Sequence, residues 1–464
     1  MNAGASNRPA PDEPRPYHFP RFTRHRVGHG VQLITATVSK LPLVSIVAVM
    51  DAGATRDPED LDGVAILTAK LLMEGTAGRE GADLVDAFEQ LGASVDVTAG
   101  WDSAIIRLTV LATQAEAAIG LLREVIREPA FRERDVARLK AERLAEILQV
   151  HADPRELADE SFERELYSAR ARYSRPIGGG TKAVERMTRD AVKRFYDAHY
   201  VPERLTLVVA GDLSAGQASA LAAKAFGDWT GAATTVTRPT ADVDTSERRI
   251  CIVKKAEAPQ SELRIGHRGV PRNHPDYFPL VVMNAVLGGL FSSRINLNLR
   301  EAHAYTYGAH SEFDWRRAAG PFVVSTAVES GVTAQATAEV VKEIERIRSA
   351  PVAPEELSLA KSYLAGVFPI RYETTSAIAD ALAALVTYGY PEDYFDNYRP
   401  HIQVVTNEDV LRVARTHLHP DELLIMAVGD PDVIEAPLNA LNLGPVSVQA
   451  AGDTESGARA RSER

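Results

Sequence analysis

The segment "TRDAVKRFYDAHYVPERLTLVVAGD", Thr188 to Asp212, has a second copy in the same chain: "TNEDVLRVARTHLHPDELLIMAVGD", Thr406 to Asp430. The two align without a gap at an offset of 218, and eight of the 25 positions are identical. An internal repeat of this length makes the chain a duplication of one unit. The shared unit is physically legible. A Thr followed about three places on by an acidic residue caps a helix. Pro202 and Pro420 end that helix. "LTLVVAG" and "LLIMAVG" are unbroken apolar runs, as expected of a central strand buried on at least one face. Gly-Asp then turns the chain.

Working outward, a weaker echo supports the duplication. "GVQLITATVSKLPLVSIVAVMDAGA" and "RRICIVKKAEAPQSELRIGHRGV" each read as strand, short Pro-containing connection, strand. Each precedes an apolar helix, "DGVAILTAKLLMEG" in the first half and "YFPLVVMNAVLGG" in the second. The strands come in hairpin-like pairs. Between them lie amphipathic helices such as "TQAEAAIGLLREVIREPAF". This pattern predicts an α+β chain of two homologous sandwich halves, each a mostly antiparallel sheet with helices packed on one face. The expected layout is a disordered tail (1–19), a first half (20–229), a polar linker (230–247), a second half (248–447) and a disordered tail (448–464).

Composition limits the function. At 464 residues, 45% hydrophobic and 25% charged, the chain has the make-up of a globular protein of two or more domains. A net charge of -11 argues against nucleic acid as a partner. The lone cysteine, Cys251, sits in "RRICIVKK", a strand pattern, and reads as a buried structural thiol. No secretory signal or membrane-spanning run is seen, which makes a cytoplasmic location and no membrane partner the expectation. His25 and His29 are four apart but lack a Glu between them, and His417 and His419 flank one residue near a helix end. Both pairs read as surface or capping histidines. "LGGLFSSR", Leu287 to Arg294, lacks the Lys-Ser/Thr ending of a phosphate loop and reads as a tight turn.

The two related halves, the "HYVPERLTLVVAGD" element and "GGLFSSRINLNLREAHAYTYG" together resemble the pitrilysin and insulinase family of zinc metallopeptidases. The nearest branch is the short-chain one that includes mitochondrial processing peptidase. The likeness runs from about residue 20 to 445. Active members carry His-x-x-Glu-His on a helix, so that two His side chains on one face share Zn²⁺ and the Glu acts on the bound water. Registered on Gly63-Val64-Ala65 and Gly75-Thr76, the resemblance puts the first His at Ile66, the Glu at Ala69 and the second His at Lys70. The third ligand position falls on Glu146. No zinc cofactor and no metal site is therefore expected in this chain.

The resemblance also implies what is kept. In active relatives an Arg and a Tyr seven residues apart reach across to the substrate and the scissile carbonyl. "LREAHAYTYG" supplies Arg300 and Tyr307 at that spacing, with Tyr305 the rival for the Tyr role. The strands of Gly92 to Leu111 correspond to the edge where substrate adds as a strand. The family's Asn-Ala there is replaced by Asp96-Val97, and Trp101 is a candidate to fill the space of a peptide. The implied role is the non-catalytic subunit of a heterodimeric zinc metallopeptidase. A sister chain with His-x-x-Glu-His would bring the zinc, and the pair would enclose peptides in a clam-like chamber. The alternative is a structural subunit like the core proteins of respiratory complexes.

Overall fold

The computed structural model of the chain describes residues 16–233, 240–244 and 247–450. Among the described residues, twelve strands form two six-stranded sheets. The first half holds β1 (Phe22–Val27), β2 (Val31–Thr37), β3 (Leu43–Met50), β4 (Ser94–Ala99), β5 (Ala104–Leu111) and β6 (Leu205–Gly211). The second holds β7 (Arg249–Lys254), β8 (Gln260–Arg268), β9 (Ala309–Phe313), β10 (Pro321–Glu329), β11 (Leu424–Gly429) and β12 (Val446–Ala450). Their orders are β1-β2-β6-β3-β5-β4 and β12-β7-β11-β8-β10-β9. From β2 onward the first order maps onto the second from β7 onward, so the duplication holds in three dimensions. Only the outermost strands differ: β1 pairs β2 antiparallel, whereas β12 pairs β7 parallel.

The repeated unit folds as its sequence dictates. Thr188 accepts a hydrogen bond from the Ala191 N–H, and Thr406 forms a capping box with Asp409. The helices they start end at His199 and His417. The apolar runs become β6 and β11, buried along their whole length. One expectation differs. β2 and β3 are not a hairpin, because β6 lies between them, parallel to β2 and antiparallel to β3. The same holds for β7 and β8, with β11 between. A run that is apolar on both sides belongs in the middle of a sheet, and it displaces the direct pairing that a short connection suggests.

Burial of β6 and β11 on both faces has a cause the sequence does not display. One face of the first sheet (Ile46, Ala48, Leu207, Val209) packs on helices of its own half. Its other face (Val47, Val49, Val208, Ala210) packs on second-half residues, and the helix Thr375–Tyr388 lies along β3 and β6. Reciprocally, the first-half helix Pro154–Leu166 lies on β8 and β11, placing Leu157 and Phe162 against Cys251, Met426 and Val428. Each half thus lends one helix to the other. Polar pins accompany the exchange: Arg107 Nε donates to Asp380 at 2.7 Å, and Arg264 Nε donates to Asp159 at 2.5 Å. Cys251 is buried as expected, and burial pushes its thiol up to about 11.

At both ends the ordered structure reaches further than composition implies. Phe19, expected in the tail, stacks on Phe395 with centroids 4.2 Å apart, and Tyr17 meets Phe368 edge-on. Two aromatic side chains outweigh a polar, Pro-rich neighbourhood. β12 carries the fold to Ala450, past the expected start of the C-terminal tail at 448. The remainder of both tails, and 234–239 and 245–246 of the linker, lie outside the described residues. Within the linker, the Asp242 carbonyl accepts from the Ser168 N–H at 2.8 Å. The stretch Tyr277–Ala302 is long and apolar enough to cross a membrane, yet half of it is buried in the second half's core.

Candidate functional site: an ion pair between two helices

The helix Val64–Leu71 buries Val64, Leu67 and Leu71 and exposes the face carrying Lys70. Gly63 starts it at φ 92, where a Cβ would collide with the Gly178 carbonyl. The N–H groups of Gly63 and Ala65 donate to the Asp57 carboxylate at 2.7 and 2.9 Å. The Asp57 side chain is completely buried and ion-paired with Arg172. Burial raises its carboxyl to about 6 despite the Arg172 guanidinium and the two backbone donors. This anchor was not foreseen from the sequence, since Asp57 and Arg172 are 115 residues apart.

The helix Glu133–Ala152 crosses the exposed face and brings Glu146 to Lys70. Lys70 Nζ donates to Glu146 Oε1 at 3.1 Å, and Arg143 Nη1 donates to Oε2 at 3.3 Å. Partial burial opposes ionisation of Glu146, but the two cations outweigh it and hold the carboxyl below its ordinary value. Ile66 lines the same cleft, and Ala69 is buried. Of the four positions singled out by register, Lys70 and Glu146 meet, Ile66 lines the cleft beside Lys70, and Ala69 faces the core. They do not fit zinc: one carboxylate, already shared by two cations, is the whole donor set. No hydrolytic step can be built on them.

Arg300 and Tyr307 lie far along the chain, beyond the turn at 290–293. Arg300 sits on the helical segment Leu297–Ala302, 3.5 Å from Glu301 and 4.6 Å above the Phe291 ring. Tyr307 is 94% exposed, with no hydrogen-bond partner among the described residues. Tyr305, the rival, is partly buried and stacks on His303.

β4 is the outer strand of its sheet, as the correspondence implies, and Asp96 on it accepts from Arg107 at 3.4 Å. Trp101 follows at the β4–β5 turn. Its neighbours are Tyr173, edge-on at 4.9 Å, and Arg316, 4.6 Å over its ring. It belongs to the seam between the halves. Of the other histidines, His25 Nε2 lies 3.1 Å from the Thr23 hydroxyl. His417 Nε2 is 2.7 Å from Asp276, and His274 joins them in a group that could geometrically hold a cation. Sequence reading missed this group because His417 and Asp276 are 141 residues apart. Arg412, 2.9 Å from Asp276, already compensates its charge.

Two family descriptions match the chain: "Insulinase (Peptidase family M16)" over residues 34–177 and "Peptidase M16 inactive domain" over 186–364. The chain belongs to peptidase family M16. Among its M16 relatives, an uncharacterized zinc protease of Bacillus subtilis is 20% identical, over 76% of this chain and 85% of that one. Another, from Streptomyces coelicolor, is 23% identical over 83% and 85%. In structure, the M16 inactive domain from Pseudomonas fluorescens superposes with a TM-score of 0.83 at 26% identity, over 88% of this chain and 98% of that one. A protease from Helicobacter pylori shares the fold, with a TM-score of 0.79 at 16% identity, over 89% and 100%.

Proposed function

We propose that this M16 chain is the non-catalytic subunit of a two-chain zinc metallopeptidase. A homologous partner with His-x-x-Glu-His would bring the zinc and the general base. This chain would close a chamber around peptides or unfolded segments and lend Arg300 and Tyr307 to the partner's site. A guanidinium and a phenol are suitable donors to a carbonyl oxygen and its developing oxyanion. The observation that carries the reading is the Lys70–Glu146 ion pair at the metal position. An ion pair there supports a role without catalysis of its own, and Tyr307, 94% exposed with no hydrogen-bond partner among the described residues, supports a donor role towards a partner.

The test is a tagged pull-down from native cells, followed by reconstitution. Recovery of a similar-sized chain carrying His-x-x-Glu-His supports the reading. In the reconstituted pair, Arg300→Ala is expected to lower turnover without dissociating the complex, and full activity of that variant would end the Arg role. One observation favours a structural or assembly subunit instead. Arg300 is engaged within its own chain by Glu301 and Phe291. Recovery of only a membrane assembly, with no such sister chain, would decide for that alternative.

A further inference from the structure

Three side chains of the second half meet where one helix begins and another ends. His274 and Asp276 lead into the helix Tyr277–Asn284, and His417 closes the helix Asn407–His417. His417 Nε2 lies 2.7 Å from Asp276 Oδ2, and one ligand atom from each of the three falls within 4.8 Å of the others. The imidazoles of His274 and His417 stand edge to face, with centroids 4.8 Å apart. His417 is 9% exposed, while His274 and Asp276 are half-buried, so the group is anchored in the core and reaches solvent.

Helix capping does not account for the group. Asp276 stands at the N-cap position of its helix, yet its side chain accepts no capping hydrogen bond. It turns instead to His417 and to Arg412, 2.9 Å from Oδ1. The repeated unit does not require the group either. His199, the first-half counterpart of His417, accepts from Arg204 Nη1 at 2.6 Å, and the counterpart helix Val64–Leu71 begins at Gly63. Two imidazoles and a carboxylate in one half only are an addition to the shared fold. They are donor types that suit zinc and its neighbours in the first transition row.

We propose that His274, Asp276 and His417 bind a divalent transition ion of the zinc type, which joins the two helices. Asp276 Oδ2 and the two imidazoles supply three ligands, and water completes the shell. Arg412 compensates the Asp276 charge through Oδ1 and leaves Oδ2 to the ion, as outer contacts of metal-bound carboxylates do. The ion replaces the proton between His417 Nε2 and Asp276 Oδ2, so binding releases a proton. Zinc at about 2.0–2.1 Å from each ligand spaces them about 3.4 Å apart, so His274, on a loop, closes in by about 1 Å. Its Nδ1 gives up the Asp276 N–H, now 3.1 Å away, in favour of the ion. With one guanidinium close by and water in the shell, the ion exchanges on dialysis, and its binding is read at equilibrium. The site owes nothing to the peptidase reading.

The test is a calorimetric titration of the full, untagged chain with zinc chloride. Saturable binding of a single ion is expected, with a heat that depends on the buffer's ionisation enthalpy because a proton is released. His274→Ala and Asp276→Asn should each weaken it by about tenfold or more, with unchanged circular dichroism. His274→Ala leaves the Asp276–Arg412 pair in place, so it decides the matter even if Asp276→Asn fails to fold. The exposed histidines His25 and His29 are the control, and changing both to alanine should leave the titration as it was. No saturable binding, binding undiminished in His274→Ala, or binding lost with His25 and His29 would overturn the site. Displacement of zinc by a small excess of calcium or magnesium would overturn the choice of ion. Zinc should also raise the thermal midpoint of the parent but not of His274→Ala, and no rise in the parent would overturn the joining of the helices. A failed pull-down would sink the subunit reading and leave this titration unaffected.

Discussion

Lys70 Nζ stands 3.1 Å from Glu146 Oε1, joining a position that would carry a zinc-binding His in an active relative to the position of the third ligand. The ammonium supplies the positive charge that the carboxylate faces. Both side chains are more than two-fifths exposed, so the pair contributes less than about 1 kcal/mol to stability. On the proposed reading, this ordinary surface ion pair stands where an active relative would hold its metal.

The same reading predicts that a metal site can be built there. The triple change Ile66→His, Ala69→Glu, Lys70→His is expected to produce a chain that retains zinc after dialysis, measured by atomic emission. Adding Glu146→Gln should abolish retention. A triple variant with no more zinc than the parent would show that the two helices do not present these positions to one ion. Arg143, 3.3 Å from Glu146, will weaken the affinity relative to a natural site.

Exposure predicts what the second pair of residues does for folding. Tyr307→Ala should shift stability by no more than about 0.5 kcal/mol, because the side chain is in solvent. Chemical denaturation of the isolated chain checks this. A loss of several kcal/mol would mean that Tyr307 is a packing residue, and the subunit reading would lose that donor.

Exchange of helices between the halves predicts shared stability. Leu157 belongs to the first half by sequence but packs on the second sheet, and it is fully buried. Leu157→Ala should cost about 2–5 kcal/mol. Unfolding should stay a single transition, with tryptophan fluorescence and far-UV circular dichroism coinciding. Two separated transitions would show that the halves are energetically independent.

Two buried groups give opposite pH slopes. His267 is fully enclosed, with Nδ1 donating to the Arg268 carbonyl at 2.9 Å and Nε2 accepting the His419 N–H at 3.1 Å. Burial lowers it from 6.5 to about 3. As pH falls, the unfolded chain takes the proton first, so this contribution is complete above pH 6.5 and is lost towards pH 3. Between pH 6.5 and 5 the loss is about 2 kcal/mol. Asp57 runs the other way. Its folded state takes a proton first as pH falls through about 6, so acid relieves the cost of burying its charge. Urea unfolding of a His267→Asn variant isolates the histidine. Its change between pH 6.5 and 5 should be more favourable than the parent's by about 2 kcal/mol. Parallel profiles would mean that His267 does not titrate between the two states.

The repeat made the architecture legible, because capping Thr, helix-ending Pro and apolar strand are local signals that survive duplication. Register also paired Lys70 with Glu146, 76 residues away, whereas Ala69 turned out to face the core. Strand neighbours were less legible. The connection between β2 and β3 suggested a hairpin, while the displacing strand, β6, lies more than 150 residues away. The covering of each sheet's second face was invisible for the same reason. So were the Asp57–Arg172 anchor and the group of His274, Asp276 and His417, assembled from distant stretches of the chain. Contacts of this kind are settled by tertiary packing, which leaves no periodic trace in a single sequence.

The traded helices also bear on where the duplication came from. The 218-residue offset carries Pro154–Leu166 onto Thr375–Tyr388 to within about a turn, so both copies lend the same element. Two separate polypeptides of one half each, making the same trade, would form a closed twofold dimer with no sheet face left bare. Joining their genes would turn that intermolecular grip into an intramolecular one. Once joined, neither copy could be discarded without stripping the other of its cover. That gives a plain physical reason for a chain to keep both halves whatever chemistry either one carries.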